Sequence, residues 1–338
     1  MLLVVNAGSS SIKVALFDGM TELRSGRALE IAADGHAAAL DSLLAQGFGC
    51  GLTAAAHRVV HGGAVLTAPC RIDAGVLAGI EACVPLAPLH NPANLVAIRA
   101  LAASMPDLPQ YACFDTGFHA TNPAVATRYA LPVAASALGL RRYGFHGISF
   151  AALVRKVKEI SGDVGPRRLL ALHLGNGASL CAIADGRSVA TTMGYSPLDG
   201  LTMGTRSGGI DGNAVLRLAE VHGIAAAARI LNRESGLLAL GGSSDLRALQ
   251  AAGTAAARFA VQHFCYWAVR HAGSMIAAMG GLDALAFTGG IGENDAGVRG
   301  EILKGLDWIA AGKPVWIIPA EEERQIVIEV LALIEAGL

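Results

Sequence analysis

Residues 2–19 read LLVVNAGSSSIKVALFDG, and residues 169–186 read LLALHLGNGASLCAIADG. Laid together without gaps, they share the opening Leu-Leu, the first Gly, one Ala and the closing Asp-Gly. Each is an apolar run, then small residues (Gly8-Ser-Ser-Ser in one, Gly175-Asn-Gly-Ala-Ser in the other), then a second run ending in Asp-Gly. That order spells strand, turn, strand, turn. The two copies stand nearly half of the 338-residue chain apart. A duplication at that spacing fixes architecture more firmly than local propensity does, so two similar halves are expected, each opening with a hairpin.

Outward from the hairpins, the pattern mixes two periods. Residues 93–103, 149–160, 213–222, 255–279 and 321–336 have helical spacing, and Pro92 and Pro319 stand just before two of them. Residues 54–60, 110–115, 169–174, 285–288 and 315–318 are short apolar runs bounded by Gly, Pro or polar residues, which suits strands. The chain therefore reads as α/β in two duplicated lobes, with the division near 143–149. Its length alone suggests about two domains.

Composition narrows the functional classes. Twenty-six Lys and Arg against 27 Asp and Glu give a formal net charge of -1, so no summed field favours nucleic acid or an anionic membrane. Hydrophobic residues make up 53% and charged ones 16%, which argues against disorder and for extensive burial or a subunit interface. The opening Met1-Leu-Leu-Val-Val meets Asn6 at once, so export is not expected. The most apolar segment, 255–281, carries Arg258, His263, Arg270 and His271, so no membrane span is expected either. The six cysteines form no C-x-x-C pair and are too sparse for a disulfide scaffold; they fit buried thiols of a cytoplasmic protein.

Glycine-rich turns are unusually frequent. Besides the two hairpin turns there are MGTRSGGID at 203–211, GGSSD at 241–245 and TGGIGEN at 288–294. Such turns set successive backbone N-H groups around a concavity with no bulky side chain in the way, which suits phosphate. Two familiar nucleotide devices are missing: Gly312-Lys313 is followed by Pro314, so there is no P-loop, and no G-x-G-x-x-G follows a strand. A hairpin-based phosphate clamp in a duplicated α/β protein resembles the actin, Hsp70 and sugar kinase superfamily, whose nucleotide lies in the cleft between two ribonuclease H-like lobes.

Particular strings then matter. VNAGSSSIK at 5–13, HRVVHGG at 57–63, PLAPLHNP at 85–92, FDTGFH at 114–119, RYGFHG at 142–147, HLGNG at 173–177, MGTRSG at 203–208 and FTGGIGEN at 287–294 together resemble the acetate kinase family, in its order from residue 5 to about 327. The resemblance implies reversible transfer of the ATP γ-phosphoryl group to a short carboxylate, with magnesium (or manganese), in a cytoplasmic homodimer. A propionate or butyrate kinase, and a non-catalytic nucleotide-binding sensor of the same fold, are the alternatives. The implied organisation is an acyl-substrate lobe over 1–146, onto which a C-terminal helix near 321–336 can pack back, and a nucleotide-binding lobe over 147–338.

The chemistry agrees with the residue types. A carboxylic acid with a pKa near ~4 is already ionised at neutral pH, so its attack needs no general base. What it needs is positive charge and aimed donors, because one anion must approach another. The resemblance puts Arg58 on the acceptor carboxylate, Arg206 and His146 around the transferring phosphoryl group, and Asp115 in a positioning and electrostatic role. It lines the acyl pocket with Val60, Leu89, Phe145 and Pro197. It assigns nucleotide contacts to Lys13, to His173, Leu174, Gly175, Asn176 and Gly177, to Asp245, Leu246 and Arg247, and to Gly290, Ile291, Gly292, Glu293 and Asn294. For the metal, the resemblance points to Asn6 and to one of Glu321, Glu322 and Glu323, among which aligning on Pro319 selects Glu322. His57, His61, His90 and His119 read as structural or supporting histidines. The chain is shorter than usual for the family between 18 and 57, between 245 and 287 and after 294. Asp199 stands where the family commonly has Glu, and Ile148-Ser149-Phe150 where it commonly has Thr-Ser-His.

Overall fold

The computed structural model describes residues 1–8, 11–32, 35–162 and 165–338. Ser9 and Ser10 of the first glycine-serine turn lie outside the described residues. Contacts divide the chain into two compact units, Met1–Ala120 with His146–Ala152 and Glu321–Leu338, and Thr121–Phe145 with Leu153–Ala320. A single division near residue 146, expected above, is one of the crossings between them.

The first unit holds a six-stranded sheet in the order β3-β2-β1-β4-β6-β5. Strands β1 (Leu2–Ala7), β2 (Ser11–Asp18) and β3 (Thr21–Leu29) form an antiparallel meander. Strands β4 (Ala54–Val59) and β6 (Gln110–Phe114) add in parallel beside β1, and the two-residue β5 (Cys70–Arg71) closes the edge. The second unit repeats the plan as β11-β10-β7-β8-β9. There β7 (Arg168–Leu174), β8 (Ala178–Ala184) and β9 (Arg187–Thr191) are the meander, and β10 (Ala284–Thr288) and β11 (Val315–Ile317) the parallel strands. Even the register breaks in nearly the same place, at Leu16/Phe17 and at Ala182/Ile183. Each expected hairpin is thus the first two-thirds of a three-stranded meander, and both sheets have the ribonuclease H-like topology.

Side chains alternate across a strand, so the first sheet buries two faces. Leu3, Val5, Ile12, Val14 and Ala55 pack with Leu40, Leu43, Ala97 and Leu101 from helices on one side. Leu2, Val4, Ala15, Phe17, Ala54, Ala56, Tyr111 and Cys113 face the other way, against Ile326, Val327 and Val330 of the C-terminal helix Glu322–Glu335.

Candidate active site

The alternation that builds the core also builds the site. Leu2 and Val4, Ala54 and Ala56, and Tyr111 and Cys113 share the face under the C-terminal helix. Two residues further along each strand direction come Asn6, Arg58 and Asp115. The three strands β1, β4 and β6 are parallel neighbours, so these side chains gather at one carboxyl edge of the sheet, where open α/β sheets bind ligands. Lys13 pairs in register with Asn6 and joins the same face.

The contacts are tight. Arg58 donates from Nε to Asp115 Oδ1 at 3.0 Å, from Nη2 to Oδ2 at 2.5 Å, and from Nη1 to Asn6 Oδ1 at 3.0 Å. Glu322, in the first turn of the C-terminal helix, brings Oε2 to 3.8 Å from Arg58 Nε, and Glu323 pairs with Lys13 at 2.8 Å. Burial opposes the charge on Arg58, but Asp115 and Glu322 outweigh it and hold the guanidinium above its ordinary range. Asp115 goes the other way: burial, aided by repulsion from Glu322, exceeds the pull of Arg58 and lifts its carboxyl to about 6.

Three further devices fix this edge. Buried Asn94, on the helix Asn91–Ser104, accepts from Val60 N at 3.1 Å and donates to Ala7 O at 2.7 Å, tying the ends of β4 and β1 together. Gly147 N donates to Asp115 O at 2.8 Å, and a Cβ on Gly147 would sit 2.2 Å from that oxygen, so only glycine fits. His146, the residue before it, is held at φ 58, a left-handed conformation that a non-glycine residue keeps only where its surroundings enforce it.

In the second unit, Arg206 sits in the glycine-rich loop before the helix Gly212–His222. Its Nη1 donates to Pro197 O at 3.3 Å and lies 3.9 Å from Met203 Sδ. Among the described residues no carboxylate pairs with it, and burial alone pulls its pKa down. It is a half-buried cation without a counter-ion in its own unit.

A cavity of about 640 Å³ opens in the same unit. Gly175, Asn176, Asp245, Leu246, Arg247, Gly290, Ile291 and Asn294, all expected at the nucleotide, line it. His173, Leu174, Gly177, Gly292 and Glu293 do not. Leu174 is buried in β7, His173 pairs with Thr288 across β7 and β10, and Gly177 O accepts from Gly175 N to close the turn. Gly292 is buried, and the Glu293 carboxylate accepts from Gly289 N at 3.1 Å and Ala320 N at 3.0 Å. Lys13 belongs to the first unit, on Glu323. Of the acyl-pocket set, Val60 and Leu89 belong to the first unit and Phe145 and Pro197 to the second; Val60 and Phe145 are buried, and Leu89 is exposed.

Several residues escaped sequence reading. Ser244, Gln250, Asp295 and Ala296 also line the cavity, with Gln250 Nε2 donating to Asp295 Oδ2 at 2.8 Å. Gln250 falls one helical turn beyond Leu246, and Asp295 caps the helix Ala296–Gly305 through Val298 N, so helix spacing and a cap signal were the available clues. Among the histidines, His57 Nε2 bonds Gln110 Oε1 at 2.7 Å, and His61 Nδ1 accepts from Gly63 N at 2.9 Å. His119 packs edge-on to Phe118 and Phe150. Among the described residues, no group of three His, Cys, Asp or Glu side chains could hold a metal ion by itself.

The paired ribonuclease H-like sheets put the chain in the architectural class of actin and the sugar kinases. A family model described as the acetokinase family matches residues 48–312, and the chain belongs to that family. It is 39% identical over 387 residues to the acetate kinase of Nitrobacter hamburgensis, covering 98% of this chain and 96% of that one. Among solved structures, a propionate kinase from Francisella tularensis superposes with a TM-score of 0.90 at 34% identity, covering 97% of this chain and 98% of the other. The acetate kinase of Porphyromonas gingivalis gives 0.88 at 32%, covering 98% and 99%.

Proposed function

We propose that this protein transfers the γ-phosphoryl group of ATP to a short-chain carboxylate, acetate foremost, to give the acyl phosphate and ADP, reversibly and with magnesium. The observation that carries this reading is Arg206, a half-buried guanidinium whose own unit supplies no acid to neutralise it. Such a group suits an anionic phosphoryl group whose charge spreads over equatorial oxygens. His146, held in a strained conformation beside Asp115, is the second donor to that group. The acceptor is already ionised, so no residue is asked to remove a proton.

Arg58 receives the acceptor. A guanidinium has five N-H donors; Asp115 takes two and Asn6 one. One each on Nη1 and Nη2 is left, a fork suited to the two oxygens of a carboxylate. Asp115 keeps that fork in place. Family resemblance assigns Val60, Leu89, Phe145 and Pro197 to the short alkyl group, and because one methylene changes discrimination by only ~1–3 kcal/mol, propionate is a second acceptor. The propionate kinase among the close structural relatives favours that extension. Arg58, which receives the acyl substrate, belongs to the first unit, and the second unit serves the nucleotide on the cavity lined by Gly175, Arg247 and Ile291.

The donor set suits a hard dication. Asp115 and Glu322 face one arginine, and Asp115 is held near 6 because that single cation does not offset burial and the second carboxylate. Asn6 and Glu322, with Asp115 beside them, are the residues that hold magnesium, which takes few protein oxygens and completes its shell with water and phosphate. When bound, the ion neutralises charge on the phosphates.

The enzyme works as a cytoplasmic homodimer. Six free cysteines fit a reducing compartment, and no described helix is long and apolar enough to cross a membrane. The amphipathic helix Gly212–His222 has no buried residue, which suits a second copy as its cover. The deciding assay traps acyl hydroxamate from ATP, magnesium, hydroxylamine and acetate, propionate or butyrate. Product with acetate exceeding that with butyrate supports the reading; nucleotide binding without product from any acid replaces it with a non-catalytic sensor.

A further inference from the structure

The long helix Ala255–Met279 carries His263, whose ring meets Thr202 at the head of the loop that bears Arg206. His263 Nδ1 lies 3.0 Å from Thr202 Oγ1, and Trp267 Nε1 lies 3.0 Å from His263 Nε2. An indole nitrogen can only donate, so Nε2 must accept and the ring proton of neutral His263 resides on Nδ1. Nδ1-H therefore donates to Thr202 Oγ1, and the tautomer is fixed by geometry. Arg270 stacks over the Trp267 ring with its guanidinium carbon 4.5 Å from the centroid, which holds the indole in place.

That anchor stands at the head of the loop, where Leu201, Thr202 and Met203 are all buried. Met203 N donates to Arg206 O at 3.2 Å, and Gly209 N donates to Gly200 O at 2.9 Å, so the backbone around Arg206 is tied back to the residues beside Thr202. The Arg206 side chain itself makes only weak contacts, the 3.3 Å bond to Pro197 O and the 3.9 Å approach to Met203 sulfur. With no carboxylate to orient the guanidinium, its location depends on where the loop backbone is held.

We propose that His263 is a positioning residue for Arg206: through Thr202 it clamps the start of the Arg206 loop to the long helix, with Trp267 locking His263 in the required tautomer. This rests on Arg206 being the group that meets the transferring phosphoryl. Burial lowers the pKa of His263, which keeps it in the neutral form the bonds need.

The test uses the full-length enzyme and Thr202→Val, which removes the hydroxyl at nearly constant shape. Displacing a charge-stabilising group by a fraction of an ångström lowers kcat by about tenfold, with KM for ATP changed less than about twofold. His263→Leu behaves alike, and His263→Asn, whose amide N-H replaces Nδ1-H, recovers most of kcat. In an Arg206→Ala background, Thr202→Val has no further effect on kcat. Equal loss in both backgrounds, or a change confined to KM, overturns the proposal. Wild-type turnover by Arg206→Ala alone shows instead that the role given to Arg206 has failed, and the proposal falls with it. Independently of activity and of variant folding, the ring nitrogens of His263 in the ¹⁵N-labelled wild type should show the single Nδ1-H tautomer, and protonation at Nε2 would overturn the proposal.

Discussion

Arg58 and Arg206 differ in the way phosphoryl transfer to a carboxylate requires. Arg58 is orientated by Asp115 and Asn6 before any substrate arrives, whereas Arg206 carries its charge without an acid beside it. Replacing Arg206 by Ala should cost about 10²–10³ in kcat, the range for removing one charge-stabilising donor, with ADP affinity by calorimetry changed only a few-fold. Arg206→Lys should recover little, because a point charge on a flexible stem does not reproduce a planar fork. A neighbouring residue reports on stability. His57 is buried on Gln110, and desolvation pushes its pKa down from 6.5 to about 4. Between those values the unfolded chain binds more protons than the native one, so stability is complete above 6.5 and falls as pH drops toward 4. At ~1.4 kcal/mol per unit, His57 contributes about 2 kcal/mol of the loss between pH 7 and pH 5. Urea unfolding at both pH values should show a loss smaller by about that amount in His57→Gln; an equal loss would mean the native state already tolerates charge at residue 57.

At the scale of elements, the C-terminal helix is both a wall of the core and the carrier of two carboxylates at the site. Ile326, Val327 and Val330 bury it on β1, β4 and β6, and the same helix begins with Glu322 and Glu323 over Arg58 and Lys13. Ile326→Ala should therefore destabilise the protein by ~2–5 kcal/mol in urea unfolding. It should also raise the magnesium concentration needed for half-maximal rate, because the docking that sets Glu322 is loosened. Intact stability with altered magnesium dependence would separate the two roles. The helix itself was legible in its apolar spacing at 321–336, as were the parallel strands, because buried runs bounded by breakers leave a strong pattern. The third strands of the meanders were not. Strand β3, TELRSGRAL, lies at a sheet edge with most side chains in solvent, so it lacks an apolar run. Asn6, Arg58 and Asp115 could be named through family resemblance. Their convergence, however, follows from strand order and parity, and only the fold supplies strand order. Glu293 shows the converse: its place in the GIGEN string suggests nucleotide contact, yet its carboxylate is engaged by Gly289 and Ala320 main-chain donors.

For the molecule as a whole, the helix Gly212–His222 poses a packing problem that one chain does not solve. It is amphipathic, yet Leu216 is 62% and Val221 56% exposed, and Ile224, at the start of the next helix, is 82% exposed. Helices in water owe most of their stability to burying an apolar face, so one whose apolar residues are at best half-buried in its own chain should bury the rest in another. A second copy is the simplest cover, because a two-fold interface sets one patch against itself and needs no other partner. A net charge of -1 offers little long-range repulsion to oppose it. Light scattering at micromolar concentration should give twice the 34.5 kDa chain mass. The double variant Leu216→Glu, Ile224→Glu should give the single-chain mass, since two carboxylates per chain would have to be desolvated at the contact. Because the Arg206 loop leads directly into this helix, the separated chains should also lose turnover while keeping acceptor affinity. A dimeric mass for the double variant would move the interface elsewhere and leave this helix as an uncovered face.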